Sequence, residues 1–175
     1  EKHGIPVPRL LACSNKTESL GNRLVRIYQY CEGISPDMQT AEKHAKFWVE
    51  LGKAIRRLHG IELSTFSSRL DGSAPMFDSW IDYVEYRIPQ INARTDVSGY
   101  LNLKQLGHLW DCVLSSAAMV TQSINPCLTH RDLHPDNLLV SQDGSLSSIL
   151  DFDCAEAWDP VADFFKLKWW IFNKD

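Results

Sequence analysis

Residues 129–164 read THRDLHPDNLLVSQDGSLSSILDFDCAEAWDPVADF, and this stretch decides the fold. Asn137–Val140 and Leu146–Leu150 are short apolar pieces joined by SQDGS, in which Asp143-Gly144 is a strong hairpin signal. Asp132 and Asn137 lie five apart on the loop before the hairpin, and Asp151 follows directly after it. One loop and one strand end thus deliver two carboxylates and a carboxamide. These are hard oxygen donors of the kind Mg²⁺ prefers, with phosphates and water completing its shell. Such a set suits phosphoryl transfer from a Mg-nucleotide, where one group aligns an acceptor hydroxyl and takes up its proton. Asp132 suits that role, and Asn137 and Asp151 suit the metal.

The bulk composition is compatible with this and excludes other classes. At 175 residues the chain suits one domain or one large lobe, and 44% hydrophobic with 10% aromatic residues is enough for a core. The formal net charge is -4 and basic residues are interspersed with acidic ones, so no nucleic-acid footprint is expected. No apolar run is long enough to span a membrane. The five cysteines, Cys13, Cys31, Cys112, Cys127 and Cys154, show no C-x-x-C spacing. They argue against zinc and predict reduced, buried thiols in a cytoplasmic protein.

Working outward, the upstream chain predicts a strand pair followed by helices. Residues 4–11, GIPVPRLL, are a proline-marked extended lead-in, and residues 14–22 read as a polar turn. Leu24–Tyr30 alternates like a strand with one buried face. Ser35 is placed to N-cap a helix over about 38–59 with the stripe Ala41, Ala45, Trp48, Leu51, Ile55 and Leu58, ended by Gly60. A Ser- and Gly-rich loop over 62–75 follows. A second helix is predicted over about 77–88, with Trp80, Ile81, Val84 and Ile88 on one side and Pro89 as a break or kink. The third, over about 103–122, carries Leu103, Leu106, Trp110, Val113, Ala117 and Val120. Residues 127–130 are extended, and Val161–Phe172 is a final helix.

The pattern HRDLHPDN, then ILDFD, then WDPVAD resembles the aminoglycoside phosphotransferase family. That family shares the protein-kinase-like fold and includes choline, homoserine and other small-molecule kinases. His130-x-Asp132-x4-Asn137 is similar to its catalytic loop, Asp151-Phe152-Asp153 to its metal-binding motif, and Asp159-Pro160-x-x-Asp163 to the segment after it. Upstream, GIPVP at 4–8, YQYCEG at 28–33 and LHG at 58–60 resemble the lead into a central strand, the hinge and a helix end. The resemblance implies an α+β chain: the helical C-lobe over 33–175, preceded over 1–32 by the last N-lobe strands and the hinge. It implies Asp132 as base and Asn137 and Asp151 as Mg²⁺ ligands. It also implies hinge backbone at Gln29, Tyr30 and Cys31 on the purine of ATP or GTP, with His130 and Asp163 bracing the catalytic loop. Asp153 is divided between a second metal contact and a structural hydrogen bond.

Other polar residues read more plainly. Asp143 is a turn residue, Asp159 a helix N-cap, and His134 and Asp136 are loop-packing or solvent-facing groups. His44, His59 and His108 fall at helical positions as structural residues, and the aromatic run over 164–172 reads as core, or as a surface exposed by truncation, rather than as a binding box. Seven residues separate Asp151 from Asp159 and no A-P-E follows, which leaves little chain to dock a peptide. A small hydroxylated molecule is therefore the expected acceptor, either an aminoglycoside, with antibiotic resistance as the consequence, or a choline-, homoserine- or sugar-type metabolite. The alternative from another class is a non-catalytic, kinase-like binding module, because no Gly-rich loop or strand Lys precedes the hinge. From the same absence we expect the printed 175 residues to be a fragment, inactive by itself.

Overall fold

The computed structural model describes residues 3–17, 21, 23–36, 45–94, 101–120 and 124–172. The chain forms two compact units: residues 1–60, 130–154 and 161–175 make the first, and residues 61–129 with 155–160 the second. Among the described residues no helix is long and apolar enough to cross a membrane.

The first unit starts with an antiparallel hairpin of β1 (Leu10–Thr17) and β2 (Arg23–Tyr28). β1 runs through Ser14 and on to Thr17, where a turn was expected, because Ser14 pairs with Val25 and Thr17 with Arg23. The expected buried face of β2 is not formed: Leu24, Ile27 and Tyr28 are all exposed. Among the described residues nothing covers this two-stranded ribbon, and a ribbon has a core only when another layer does.

Helix α1 (Ala45–His59) buries Phe47, Leu51, Ala54, Ile55 and Leu58. The stripe was read correctly at Leu51, Ile55 and Leu58, but Phe47 takes the fully buried place assigned to its neighbour Trp48, which is half-buried. Residues 37–44, including Ala41 and His44, lie outside the described residues. The Ser35 hydroxyl donates to the Pro135 carbonyl at 2.8 Å, and the helix start that Ser35 was expected to cap lies outside the described residues. Gly60 closes the helix, its N–H donating to Arg56 O at 3.0 Å.

α1 packs on the hairpin of β3 (Leu138–Val140) and β4 (Leu146–Ile149). Leu133, Leu138, Val140, Leu146 and Ile149 join Phe47, Leu51, Ala54, Ile55 and Leu167 in one core. Extended backbone flanks the hairpin, with Ile149 N donating to Pro6 O at 2.8 Å and Ile34 and Val140 exchanging both bonds. Asp143 is the turn residue expected: it accepts from the hydroxyls of Ser141 (2.6 Å) and Ser145 (2.8 Å) and from Ser145 N–H (3.1 Å). Helix α2 (Ala162–Phe172) ends the described unit. It buries Leu167 and leaves Phe164, Phe165 and Trp169 exposed.

The second unit holds helices α3 (Trp80–Arg94) and α4 (Leu103–Val120), packed on each other. Of the break or kink expected at Pro89, no break occurs: α3 runs through it to Arg94, so its packing outweighs the one backbone bond a proline removes. Tyr83, absent from the predicted stripe, is its most buried residue. Cys127–Thr129 forms β5, paired antiparallel with β6 (Glu156–Trp158), a strand too short to announce itself in sequence. Here Arg87 donates to Glu156 (2.9 Å) and to the Tyr83 hydroxyl (2.7 Å) while lying over the Tyr83 and Trp158 rings. Burial, chiefly, pushes the Tyr83 phenol up, so it stays a neutral donor. The thiols are less buried than expected: Cys127 is buried, Cys31 is intermediate, and Cys13, Cys112 and Cys154 are exposed.

Two stability predictions follow from this packing. Gly33 has φ +144°, and a Cβ there would stand 2.9 Å from Val140 O, so Gly33→Ala should cost about 1–3 kcal/mol. Glu156→Ala strands the largely buried Arg87 guanidinium and should cost about 3–5 kcal/mol. Urea denaturation midpoints check both.

Candidate active site

The predicted residues of the loop and hairpin all fall in the first unit, and backbone bonds hold them together. His130 is fully buried. Its Nε2–H donates to Leu150 O (2.7 Å), and its Nδ1 accepts from Asp132 N–H (3.2 Å). Those partners fix one neutral tautomer, and burial, the largest influence, holds the imidazole below its ordinary value. Leu150 N–H in turn donates to Asn137 O at 2.8 Å. Leu150 is thereby tied on one side to His130 and on the other to Asn137, which sets Asp151 beside the loop that carries Asp132.

Asn137 ends a short 3₁₀ turn, Pro135–Asn137. Its Nδ2 donates to the Asp132 carbonyl (2.9 Å) and leans toward Asp132 Oδ2 (3.4 Å). With the amide nitrogen so used, its Oδ1 accepts nothing among the described residues. Asp151 is exposed and has φ +57°, a left-handed conformation that Asp tolerates better than most residues. One of its oxygens accepts from Asp153 N–H at 3.2 Å, and the other has no partner among the described residues. The donors left over, one carboxamide oxygen and one carboxylate, fit Mg²⁺, which takes few protein ligands and reserves places for phosphate and water.

Asp132 is only 19% exposed at its side chain. Its Oδ2 has His134 Nε2 at 3.6 Å, and its Oδ1 accepts from the Lys166 ammonium on α2. Burial pushes the carboxyl up, but the bond and charge of Lys166, helped by His134 and His130, leave it below its ordinary value. Lys166 was not singled out in the sequence. Its position three residues after Asp163 on one helix was the available signal, since such residues share a face.

Asp163 is the residue read as bracing this loop. At 1% exposure its carboxylate accepts His130 N–H (3.0 Å) and Arg131 N–H (2.7 Å) and meets His59 Nε2 at 2.9 Å. His59 is thus structural, as its helical place implied. Asp153 does not point at an open site alone: its Oδ1 receives Arg26 Nη1 from β2 at 2.8 Å. In the stretch read as a hinge, the Gln29 N–H is already spent on Arg9 O (2.8 Å), and the Gln29 carbonyl is met by the Cys31 thiol at 3.8 Å. Tyr30 is 82% exposed. Asp159 lines an apolar cavity of about 440 Å³ in the second unit with Trp80, Val113 and Ala117.

The family model described as phosphotransferase enzyme family, APH, matches residues 1–175. The chain belongs to this family. No curated protein sequence matches it. Solved aminoglycoside phosphotransferases share the fold of this APH-family chain. It is similar to APH(4)-Ia with a TM-score of 0.66 at 15% identity, over 95% of this chain and 55% of that one. It is similar to ADP-bound APH(2'')-Ib with a TM-score of 0.65 at 19% identity, over 94% of this chain and 53% of that one. The gentamicin complex of APH(2'')-IIa gives 0.64 at 18%, over 92% and 52%. The protein-kinase-like fold expected from the motifs is therefore the fold of this APH-family chain, which spans about half the length of these neighbours.

The brace generates a test. Asp163→Ala leaves two backbone N–H groups and His59 without their acceptor, and should lower stability by about 3 kcal/mol. The urea midpoint checks it, and a loss much under about 1 kcal/mol would mean that the loop does not depend on this carboxylate.

Proposed function

We propose that the protein carrying this chain is a Mg²⁺-dependent small-molecule kinase. It transfers the γ-phosphoryl of ATP, or of GTP, to a hydroxyl of a small molecule. The observation that carries this reading is the joint placement of Asp132, Asn137 and Asp151 by the His130–Leu150–Asn137 bonds. Asp132 accepts a hydrogen bond from the acceptor hydroxyl and aligns its oxygen on phosphorus. A new O–P bond forms, the bond to the β-phosphate oxygen breaks, ADP leaves, and the hydroxyl proton passes to Asp132 and then to solvent. An Asp held below its ordinary value is a weak base, which fits a loose transition state in which the proton moves late. Asn137 Oδ1 and Asp151 would hold Mg²⁺, which when bound neutralises charge on the phosphates.

For the nucleotide base, the backbone of Tyr30 and Cys31 remains available, whereas the Gln29 N–H is spent within the ribbon. Asp153 could reach a second metal only with the oxygen that Arg26 leaves open. ADP, AMP-PNP and ATP in the neighbours support an adenine nucleotide. Hygromycin B, gentamicin and streptomycin in solved neighbours make aminoglycosides the first acceptor class to assay.

In the gene product carrying this chain, Asp132→Ala should lower kcat by about 10²–10⁴-fold with nucleotide binding retained. Asp151→Ala should instead weaken Mg-ATP. Because the Asp132 carboxyl lies below its usual 3.8, it is ionised at every higher pH. Its loss should therefore appear in kcat/KM only as pH falls below about 4, and an acid limb above about pH 5 would belong to another group. Turnover that survives Asp132→Ala would end the assignment of the base.

A further inference from the structure

We propose that Lys166 is a further catalytic residue, whose ammonium contacts the phosphoryl group during transfer. The inference rests on the kinase reading above and names a contact within the same site.

The geometry of Asp132 carries it. One carboxylate oxygen, Oδ2, faces Asn137 Nδ2 at 3.4 Å and His134 Nε2 at 3.6 Å. The other, Oδ1, accepts from Lys166. Each carboxylate oxygen has two acceptor positions. The acceptor hydroxyl must donate to this carboxylate, and the less crowded remaining position is the second one on Oδ1. Hydroxyl and ammonium then share one oxygen, which sets them about 4–5 Å apart. The phosphorus under attack stands about 3–3.5 Å from the hydroxyl oxygen, and its own oxygens surround it. The lysine ammonium therefore lies within hydrogen-bond reach of a phosphoryl oxygen without leaving Asp132.

The placement of Lys166 is built in. It stands three residues after Asp163 on α2, and Asp163 fastens the start of that helix to the backbone of the same loop that carries Asp132. The reach of the side chain is thus referenced to the base itself. Its side chain is 48% exposed, so its stem is not locked in the core. A fixed cation beside the transferring group lowers the barrier most when it meets charge that grows in the transition state.

The test uses the gene product carrying this chain, with Lys166→Met and Lys166→Arg. ADP affinity is measured alone and with aluminium fluoride, whose planar complex imitates the transferring phosphoryl and requires no acceptor. We expect K166M to lower kcat about 100-fold, leave ADP affinity within about twofold, and weaken the ADP–aluminium fluoride complex by a comparable factor. K166R should recover most of both losses. Equal aluminium fluoride affinity in K166M and wild type would overturn the proposal, whatever the acceptor. So would a kcat that is unchanged or raised, because Lys166 would then only cover the base until substrate displaces it. A wild-type protein that binds no nucleotide would overturn the kinase reading and this inference with it; a wild type that binds and an unaffected K166M would overturn this inference alone.

Discussion

The site depends on one buried carboxylate. Asp163 lies 1% exposed and collects the N–H groups of His130 and Arg131 together with His59 Nε2. A carboxylate removed from water must be fully hydrogen-bonded or it destabilises the fold, and this one is bonded to three elements of the first unit. It joins the end of α1, the loop before Asp132 and the start of α2. It also secures Arg131, whose φ of +68° is a left-handed conformation that costs a non-glycine residue about 1–2 kcal/mol. The strained residue immediately precedes the proposed base, so the brace sets where that base points.

From this anchor the geometry propagates through backbone groups. His130, held from behind by Asp163, reaches the Leu150 carbonyl with one ring nitrogen and Asp132 N–H with the other. Leu150 N–H completes the path to Asn137. Two nonpolar contacts reinforce it: Phe152 packs against the His130 ring with centroids 4.5 Å apart, and Leu133 and Leu138 sit in the core under α1. The side chains proposed to meet substrate and metal thus hang from a hydrogen-bonded backbone, while Asn137 Oδ1 and one Asp151 oxygen have no partner among the described residues. That division suits catalysis by preorganised charge, where the protein must not reorganise when the phosphoryl group moves.

The second unit uses its buried charge for a different end. Arg87 and Glu156 pair within an aromatic surround of Tyr83 and Trp158 and fix α3 against β6. The contrast separates two uses of buried charge in one chain: a carboxylate–guanidinium pair fixes a helix on a strand, and a hydrogen-bonded carboxylate holds the loop that carries Asp132.

Much of the site was legible in the sequence because its chemistry is local. Asp132 to Asn137 is one loop, the Asp143-Gly144 turn demands a hairpin, and Asp151 must follow that hairpin. The order of these residues, the helices and the family were all determined there. What the sequence could not settle was long-range. Burial of Phe47 rather than Trp48, the unburied face of β2, the passage of α3 through Pro89 and the pairing of β6 all turn on neighbours distant along the chain. The same holds for Arg26 on Asp153 and for Lys166 on Asp132, 34 positions apart. Motifs record which groups a reaction requires at fixed spacing. Which charge faces which is decided only when packing brings remote segments within a hydrogen bond's length, because such contacts fall off over a few ångströms of space and leave no period in the sequence.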